Sequence, residues 1–180
     1  MKKIALFHVV ASLLLTTVSC VRVEAQTAKP IDVGDKIPSF SLTDQDGNVF
    51  NTSDCVGKKT LVLFFYPKGD DLICVKEASA FRDSFDDFTK AGAMIIGING
   101  TSVASQKKFH DKYKLPFTLL SDPKDKVYRL FGIKNVVFST GRKTFVVDKS
   151  GLITFSYDAL LEAKEHADGA LKFIQSQGAK

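Results

Sequence analysis

The spacing of apolar positions changes several times along this chain, and each change marks an element. From Lys59 to Pro67 the sequence reads KTLVLFFYP, a continuous apolar run closed by proline. A run of that length predicts a strand buried on both faces, as at the centre of an α/β sheet. AMIIGIN (residues 93–99) predicts a second strand of this kind, and FTLL (117–120) a shorter one. From Ile73 the spacing switches to three and four residues, with Ala78, Phe81, Phe85 and Phe88 on one face. That is the period of a helix, closing near Gly92. SVASQKKFHDKY predicts a helix opened by Ser102. Asp122 and Pro123 take the cap and first-turn positions of another that ends at Gly132.

The flanks read as hairpins. TAKPIDVGDKIP is an extended, proline-bounded leading segment, after which SFSLTDQDGNVFNTSD alternates around Asp46-Gly47. KTFVVD and LITFSY flank Lys149-Ser150-Gly151 in the same way, and a final helix runs from about Leu161 to Gln175. Strands that alternate with helices predict an α/β fold, and the closing hairpin makes its central sheet mixed, with helices flanking it. No internal repeat, low-complexity segment or linker interrupts the pattern, so one domain is expected.

The first residues stand outside that pattern. MKKIALFHVVASLLLTTVSCVRVEA has a basic start, an apolar run from Ile4 to about Val18, and a small residue at the Val23-x-Ala25 site. This predicts a secretory signal peptide over residues 1–25, cleaved after Ala25, and a domain over 26–180. A membrane span needs about 20 apolar residues, more than this run supplies, so no stable membrane insertion is expected after cleavage. Cys20 raises the alternative of a lipoprotein cysteine, for which Thr17-Val18-Ser19 is a poor lead-in. The leader implies export to a periplasm or the exterior; in an alga the same leader would begin a plastid route.

Composition narrows the function classes. The chain is 44% hydrophobic and 25% charged, the profile of an ordinary soluble globular protein. Cleavage would lower the net charge from +5 to +3, because Lys2, Lys3 and Arg22 leave with only Glu24. The remaining lysines form no stripe with interleaved aromatics, which argues against nucleic acid as a partner. Only Cys55 and Cys74 would persist, with His110 and His166. Without a CxxC or a Cys/His cluster, no structural zinc site and at most one disulfide are expected.

Cys74 sits in DDLICVKEASAFRD, where a central strand has ended and a helix begins. Free N–H groups and the positive dipole end at a helix start favour a thiolate. An ordinary thiol near pKa 8.5 is only about 3% thiolate at neutral pH, whereas a pKa near 6 would give about 90%. A buried, inert cysteine is the other reading of the same position.

Beyond Cys74, FFYPKGDDLICVKEASAFRD, FTLLSD and GRKTFVVDKSG together resemble peroxiredoxins, and among them the Q-type or bacterioferritin-comigratory subgroup. The resemblance runs from about Ile31 to Gln175 and includes FSLTDQDG and the Tyr66-Pro67 step. It implies a thioredoxin-like fold, no cofactor, and reduction of hydrogen peroxide or organic hydroperoxides by a cysteine thiolate. The family's pocket is a proline, a threonine, the peroxidatic cysteine and an arginine from a distant strand. Those positions fall here on Pro67, Asp71, Cys74 and Arg142.

The chemistry is consistent with such a set. A thiolate that attacks one peroxide oxygen leaves negative charge on the other, so donors must face both oxygens. Arginine offers a planar fork that stays charged. Pro67 would wall the pocket without adding an N–H. Glu77, one turn into the helix, would hold Arg142 in place. Arg142 also reads as a solvated strand-start residue, and Glu77 as a partner of the helix dipole.

Two positions depart from the family. Asp71 replaces the threonine, and an ionised aspartate accepts hydrogen bonds but donates none. Two like charges 4 Å apart oppose each other by roughly 4 kcal/mol at an effective dielectric of 20. Asp71 must therefore point outward, be protonated, or leave a weak peroxidase. The second departure is Ser79, where Q-type members often carry a resolving cysteine in the same helix. No resolving cysteine is thus expected, and Cys55 reads as core packing. The expected cycle uses one cysteine, with an external thiol such as thioredoxin, glutaredoxin or glutathione as reductant, in a monomer or weak homodimer. The competing reading is a thioredoxin-fold redox-sensing or binding module with weakened or lost peroxidase activity.

Overall fold

The computed structural model describes residues 29–67, 70–133, 135–136 and 139–178. The leader predicted over residues 1–25, with Cys20, lies outside them. In chain order the hairpin β1 (Ser41–Asp44) and β2 (Val49–Asn51) leads through a 3-10 turn, Thr52–Asp54, to β3 (Thr60–Phe65). There follow α1 (Leu72–Asp83), α2 (Phe85–Lys90), β4 (Ala93–Asn99), α3 (Val103–Tyr113), β5 (Thr118–Ser121) and α4 (Lys126–Leu130). The chain closes with a short pair, β6 (Asn135–Val136) and β7 (Ser139–Thr140), then β8 (Lys143–Val147), β9 (Ile153–Asp158) and α5 (Ala163–Gly178). No helix among the described residues is long and apolar enough to cross a membrane.

Seven strands form one mixed sheet in the order β2-β1-β5-β4-β3-β8-β9. β3, β4 and β5 run parallel, and β8 lies antiparallel on the other side of β3. The position of β3 explains its continuous apolar run, because both of its faces are covered. Leu61 to Phe65 are all 0% exposed. Val62 and Phe64 point into a core shared with Cys74, Ala78, Phe81, Phe88, Phe109 and α5. Leu61, Leu63 and Phe65 point into the opposite core, with Tyr128, Phe131, Phe145 and Ile153. Each such side chain contributes roughly 1.5–3 kcal/mol by leaving water.

Two boundaries differ from the sequence reading. The helix predicted from Asp122 and Pro123 begins only at Lys126, because Asp125 adopts a left-handed conformation with φ 49°. Asp122 still caps it from a distance, accepting from the N–H groups of Lys126, Val127 and Tyr128. The helix expected to run unbroken to Gly92 divides at Ser84 into α1 and α2.

Candidate active site

The site forms where β3 leaves the sheet. Tyr66 extends the strand by donating its N–H to the Ile98 carbonyl, and its hydroxyl donates to Gln106 Oε1 at 2.8 Å. Gln106 is itself held by the Leu120 carbonyl, and the Tyr128 hydroxyl lies against the carbonyls of Tyr66 and Ile98. These contacts fix the strand end before buried Pro67 turns the chain. Asp70 is drawn to α3, where Lys112 Nζ (2.7 Å) and the Tyr113 hydroxyl (3.2 Å) donate to it.

Asp71 is the N-cap of α1. Its Oδ1 accepts from the N–H groups of Ile73 (2.9 Å) and Cys74 (3.0 Å), which satisfies two of the helix's free donors. Its Oδ2 lies 3.2 Å from Cys74 Sγ. Asp71 thus faces the cysteine and does not point outward. Burial alone would raise its pKa, but the hydrogen bonds from the Cys74 N–H, the thiol and the Ile73 N–H, with Arg142 nearby, hold it below the usual value. The carboxyl is therefore ionised, not protonated, and of the three outcomes expected for Asp71 neither of these two holds.

Cys74, third residue of α1, is 0% exposed. Besides Asp71, its sulfur meets Arg142 Nη2 at 3.4 Å and the Pro67 carbonyl at 3.6 Å. Three of the residues that the resemblance picks out, Pro67, Asp71 and Arg142, therefore meet at the sulfur of the fourth, Cys74. The expectation that the helix start lowers the thiol pKa does not hold in this arrangement. Burial raises it, Arg142 pulls it down, and Asp71 raises it further, to about 12. Withdrawal from water and an adjacent carboxylate outweigh the helix dipole and one guanidinium.

Arg142 is a buried residue, 2% exposed, and so is not a solvated strand-start residue. It immediately precedes β8, which carries it across from β3. Its Nε donates to the Leu160 carbonyl at 3.0 Å, its Nη1 pairs with Glu77 Oε2, and its Nη2 faces the sulfur. The guanidinium is thus oriented on three sides. Glu77, also fully buried, is too far along α1 to act chiefly on the helix dipole. Burial raises its pKa, against the pull of Arg142, to about 8.

The sequence reading missed the layer behind this pair. His166 of α5 is fully buried, with Nε2 2.8 Å from the Ala159 carbonyl and Nδ1 2.8 Å from the Thr144 hydroxyl. The carbonyl requires the proton on Nε2, so Nδ1 accepts from Thr144. Nδ1 also lies 3.6 Å from Glu77 Oε1, an atom with no hydrogen-bond partner among the described residues. One signal was legible: His166 shares the apolar face of the last helix with Ala163, Ala167, Ala170 and Ile174.

The other thiol is remote. Cys55 follows the 3-10 turn before β3 and packs on the core face that Leu61 and Leu63 enter, opposite the face holding Cys74. The six residues of β3 separate the two along the sheet by roughly 17 Å at the usual rise, far beyond the reach of a disulfide. Ser79 lines a cavity of about 540 Å³ between α1 and the start of α5, together with Val75, Lys76 and Leu161. No group of His, Cys, Asp and Glu among the described residues has the arrangement of a metal site.

This architecture has known counterparts. The sequence pattern of the AhpC/TSA family matches residues 33–156. The chain is 43% identical over 148 residues to the chloroplastic peroxiredoxin Q of Oryza sativa subsp. japonica, covering 81% of this chain and 68% of that one. It is 44% identical over 145 residues to that of Sedum lineare, covering 79% and 77%. Among solved structures, the peroxidoxin BcpB of Mycobacterium tuberculosis superposes with a TM-score of 0.77 at 31% identity, covering 81% of this chain and 97% of that one. Peroxiredoxin Q of Xanthomonas campestris, a C84S mutant, superposes with a TM-score of 0.71 at 28% identity, covering 77% and 91%. The plant relatives are chloroplastic, which fits plastid targeting; the periplasmic or secreted destination expected from the leader finds no support among them. With a thioredoxin-like fold, a matching family pattern and relatives more than 40% identical over most of its length, the chain belongs to the AhpC/TSA family and is a peroxiredoxin of the Q type.

Proposed function

We propose that this thiol peroxidase works through Cys74 as its peroxidatic cysteine and reduces hydrogen peroxide and organic hydroperoxides in a one-cysteine cycle. The observation that carries the assignment is the sulfur's position between Arg142 Nη2 and Asp71 Oδ2, with the guanidinium fixed by Glu77 and Leu160. Arg142 stabilises the charge that develops on the peroxide oxygens as the O–O bond breaks. Pro67 and Asp71 border the pocket, and Glu77 positions the arginine. The alkyl peroxide reduction activity named for the bacterioferritin comigratory protein of Xanthomonas campestris supports organic hydroperoxides as a substrate class.

Turnover then needs an external thiol. Ser79 cannot form a disulfide, and the sheet stands between Cys55 and Cys74. A dithiol reductant such as thioredoxin, or a monothiol such as glutathione, would take the sulfenic acid back to thiol. We place the working domain at residues 26–180, with a leader over 1–25 that begins a plastid route.

Thiol counting in a single turnover tests this. One equivalent of peroxide should consume one thiol per chain, with a dimedone-reactive sulfenic acid and no intramolecular disulfide. Cys74→Ser should abolish the reaction and Cys55→Ser leave it intact. Loss of both thiols together would replace the one-cysteine cycle with a two-cysteine one. A Cys74 no faster with peroxide than a free thiol would remove the catalytic assignment.

A further inference from the structure

We propose that His166 is a positioning residue of the peroxidase: by holding the segment Ala159–Leu160 it fixes the carbonyl that aims Arg142 at the Cys74 sulfur. This rests on the peroxidase reading above, in which Arg142 serves the peroxide oxygens. His166 makes no hydrogen bond to the sulfur or to Arg142, so it acts through the backbone that lies between them.

A guanidinium is a rigid plane, so fixing two of its nitrogens determines where the third points. In Arg142 the fixed pair is Nη1, on Glu77 Oε2, and Nε, which donates to the Leu160 carbonyl at 3.0 Å. Nη2 then meets Sγ at 3.4 Å. Without the Leu160 contact the plane could turn about its Glu77 bond and carry Nη2 away from the sulfur.

The Leu160 carbonyl depends on such an anchor because its segment has little support of its own. β9 ends at Asp158 and α5 begins at Ala163. Neither the Ala159 nor the Leu160 carbonyl accepts from a backbone N–H among the described residues. Leu161 is 72% exposed, so the segment is not clamped from the solvent side. At its far end the Tyr157 hydroxyl donates to Glu162, and at its near end His166 Nε2 donates to the Ala159 carbonyl at 2.8 Å, one peptide from Leu160. Nε2 carries its proton in this neutral tautomer and in the cation alike, so the anchor holds in either charge state. The ring is itself fixed, fully buried, with the Thr144 hydroxyl on Nδ1 at 2.8 Å and the Tyr157 ring edge-on at 4.8 Å between centroids. Glu77 Oε1 lies 3.6 Å from Nδ1, beyond hydrogen-bond distance, so the route to Arg142 runs through Leu160 and not through Glu77.

Three substitutions separate this role from packing. His166→Gln reaches the Nε2 position with a donor. His166→Asn stops short of Ala159, and His166→Phe fills the ring volume without a donor; the comparison stands if either of these two folds. The rate constant with hydrogen peroxide should fall by about tenfold in the Asn and Phe variants, within the roughly hundredfold that a misplacement of about 1 Å can cost, and stay near the wild-type value in the Gln variant. A double-mutant cycle supplies the second readout. Lysine at 142 has no Nε–H to give Leu160, so adding His166→Asn or His166→Phe to Arg142→Lys should lower the rate no further. Wild-type rates in the Asn and Phe variants, an equal loss in the Gln variant, or losses that multiply in the cycle overturn the proposal. Wild-type protein that reacts with peroxide no faster than a free thiol defeats the peroxidase reading itself, a distinct result.

Discussion

At the scale of single residues, the site is a chain of oriented polar groups: Asp71, the Cys74 thiol, Arg142 and Glu77. Arg142 is its hub because a guanidinium presents several donors in one plane, and three of them are used in three directions. Lysine keeps the charge but concentrates it at one point, so it cannot reach Leu160, Glu77 and the sulfur together. Arg142→Lys should therefore lower the peroxide rate constant by about a hundredfold, the usual effect of losing a donor to developing charge. Glu77 would be left imperfectly paired in a dry environment, so a fall in stability of about 1–3 kcal/mol should accompany the change. Stopped-flow peroxide kinetics and urea unfolding measure the two effects. A lysine variant with wild-type kinetics would show that charge alone suffices at this position.

At the scale of elements, what was legible in the sequence follows from local rules. β4 spans the seven residues of AMIIGIN and α3 opens at Ser102, whose hydroxyl accepts from Ser105, because periodicity and capping act over a few residues. The start of α4 was misplaced because Asp122 caps it through a loop and not from the adjacent position. The partners of Arg142 were less legible still. Glu77 lies 65 residues away in the chain, and only the packing of α1 and β8 brings the two together. Without the family resemblance, neither residue could be told from a surface charge, and the place of His166 on the apolar face of the last helix marked it as buried without showing that it stands behind them. One strand feature makes its own prediction. Gly97 leaves room on β4 for its neighbours: a Cβ there would lie 2.6 Å from Phe64 Cζ and 2.7 Å from Leu119 Cδ2. Gly97→Ala should destabilise the protein by about 1–3 kcal/mol through overpacking, lowering the melting temperature in calorimetry. An unchanged melting temperature would mean that the Phe64 stack on Phe81 can shift at no cost.

At the scale of the whole molecule, the site is also a brace between layers. α1 supplies Glu77, the lead into β8 supplies Arg142, β8 itself Thr144, α5 His166, and the loop before α5 the carbonyls of Ala159 and Leu160. Folding stability must therefore respond to the protonation of these groups. Burial depresses the His166 pKa; the Ala159 contact opposes this and Arg142 reinforces it, leaving a value of about 4 against an ordinary 6.5. The unfolded chain then takes up the proton first on acidification. The contribution of His166 is complete above pH 6.5 and is lost as the pH falls towards 4, by about 3 kcal/mol at 1.36 kcal/mol per pKa unit. Glu77 acts in the opposite sense: with a folded value of about 8, its contribution is present at low pH and lost as the pH rises through that value. The wild-type profile sums the two, so a comparison isolates the histidine. His166→Gln keeps a donor for Ala159 and an acceptor for Thr144 but does not titrate. The stability difference between wild type and this variant, measured by urea unfolding, should shrink by about 3 kcal/mol between pH 6.5 and 4. A difference that stays constant over that range would mean His166 is already charged in the folded protein. In that case a cation at Nδ1 would face Glu77, and the glutamate would answer to His166 as well as to Arg142.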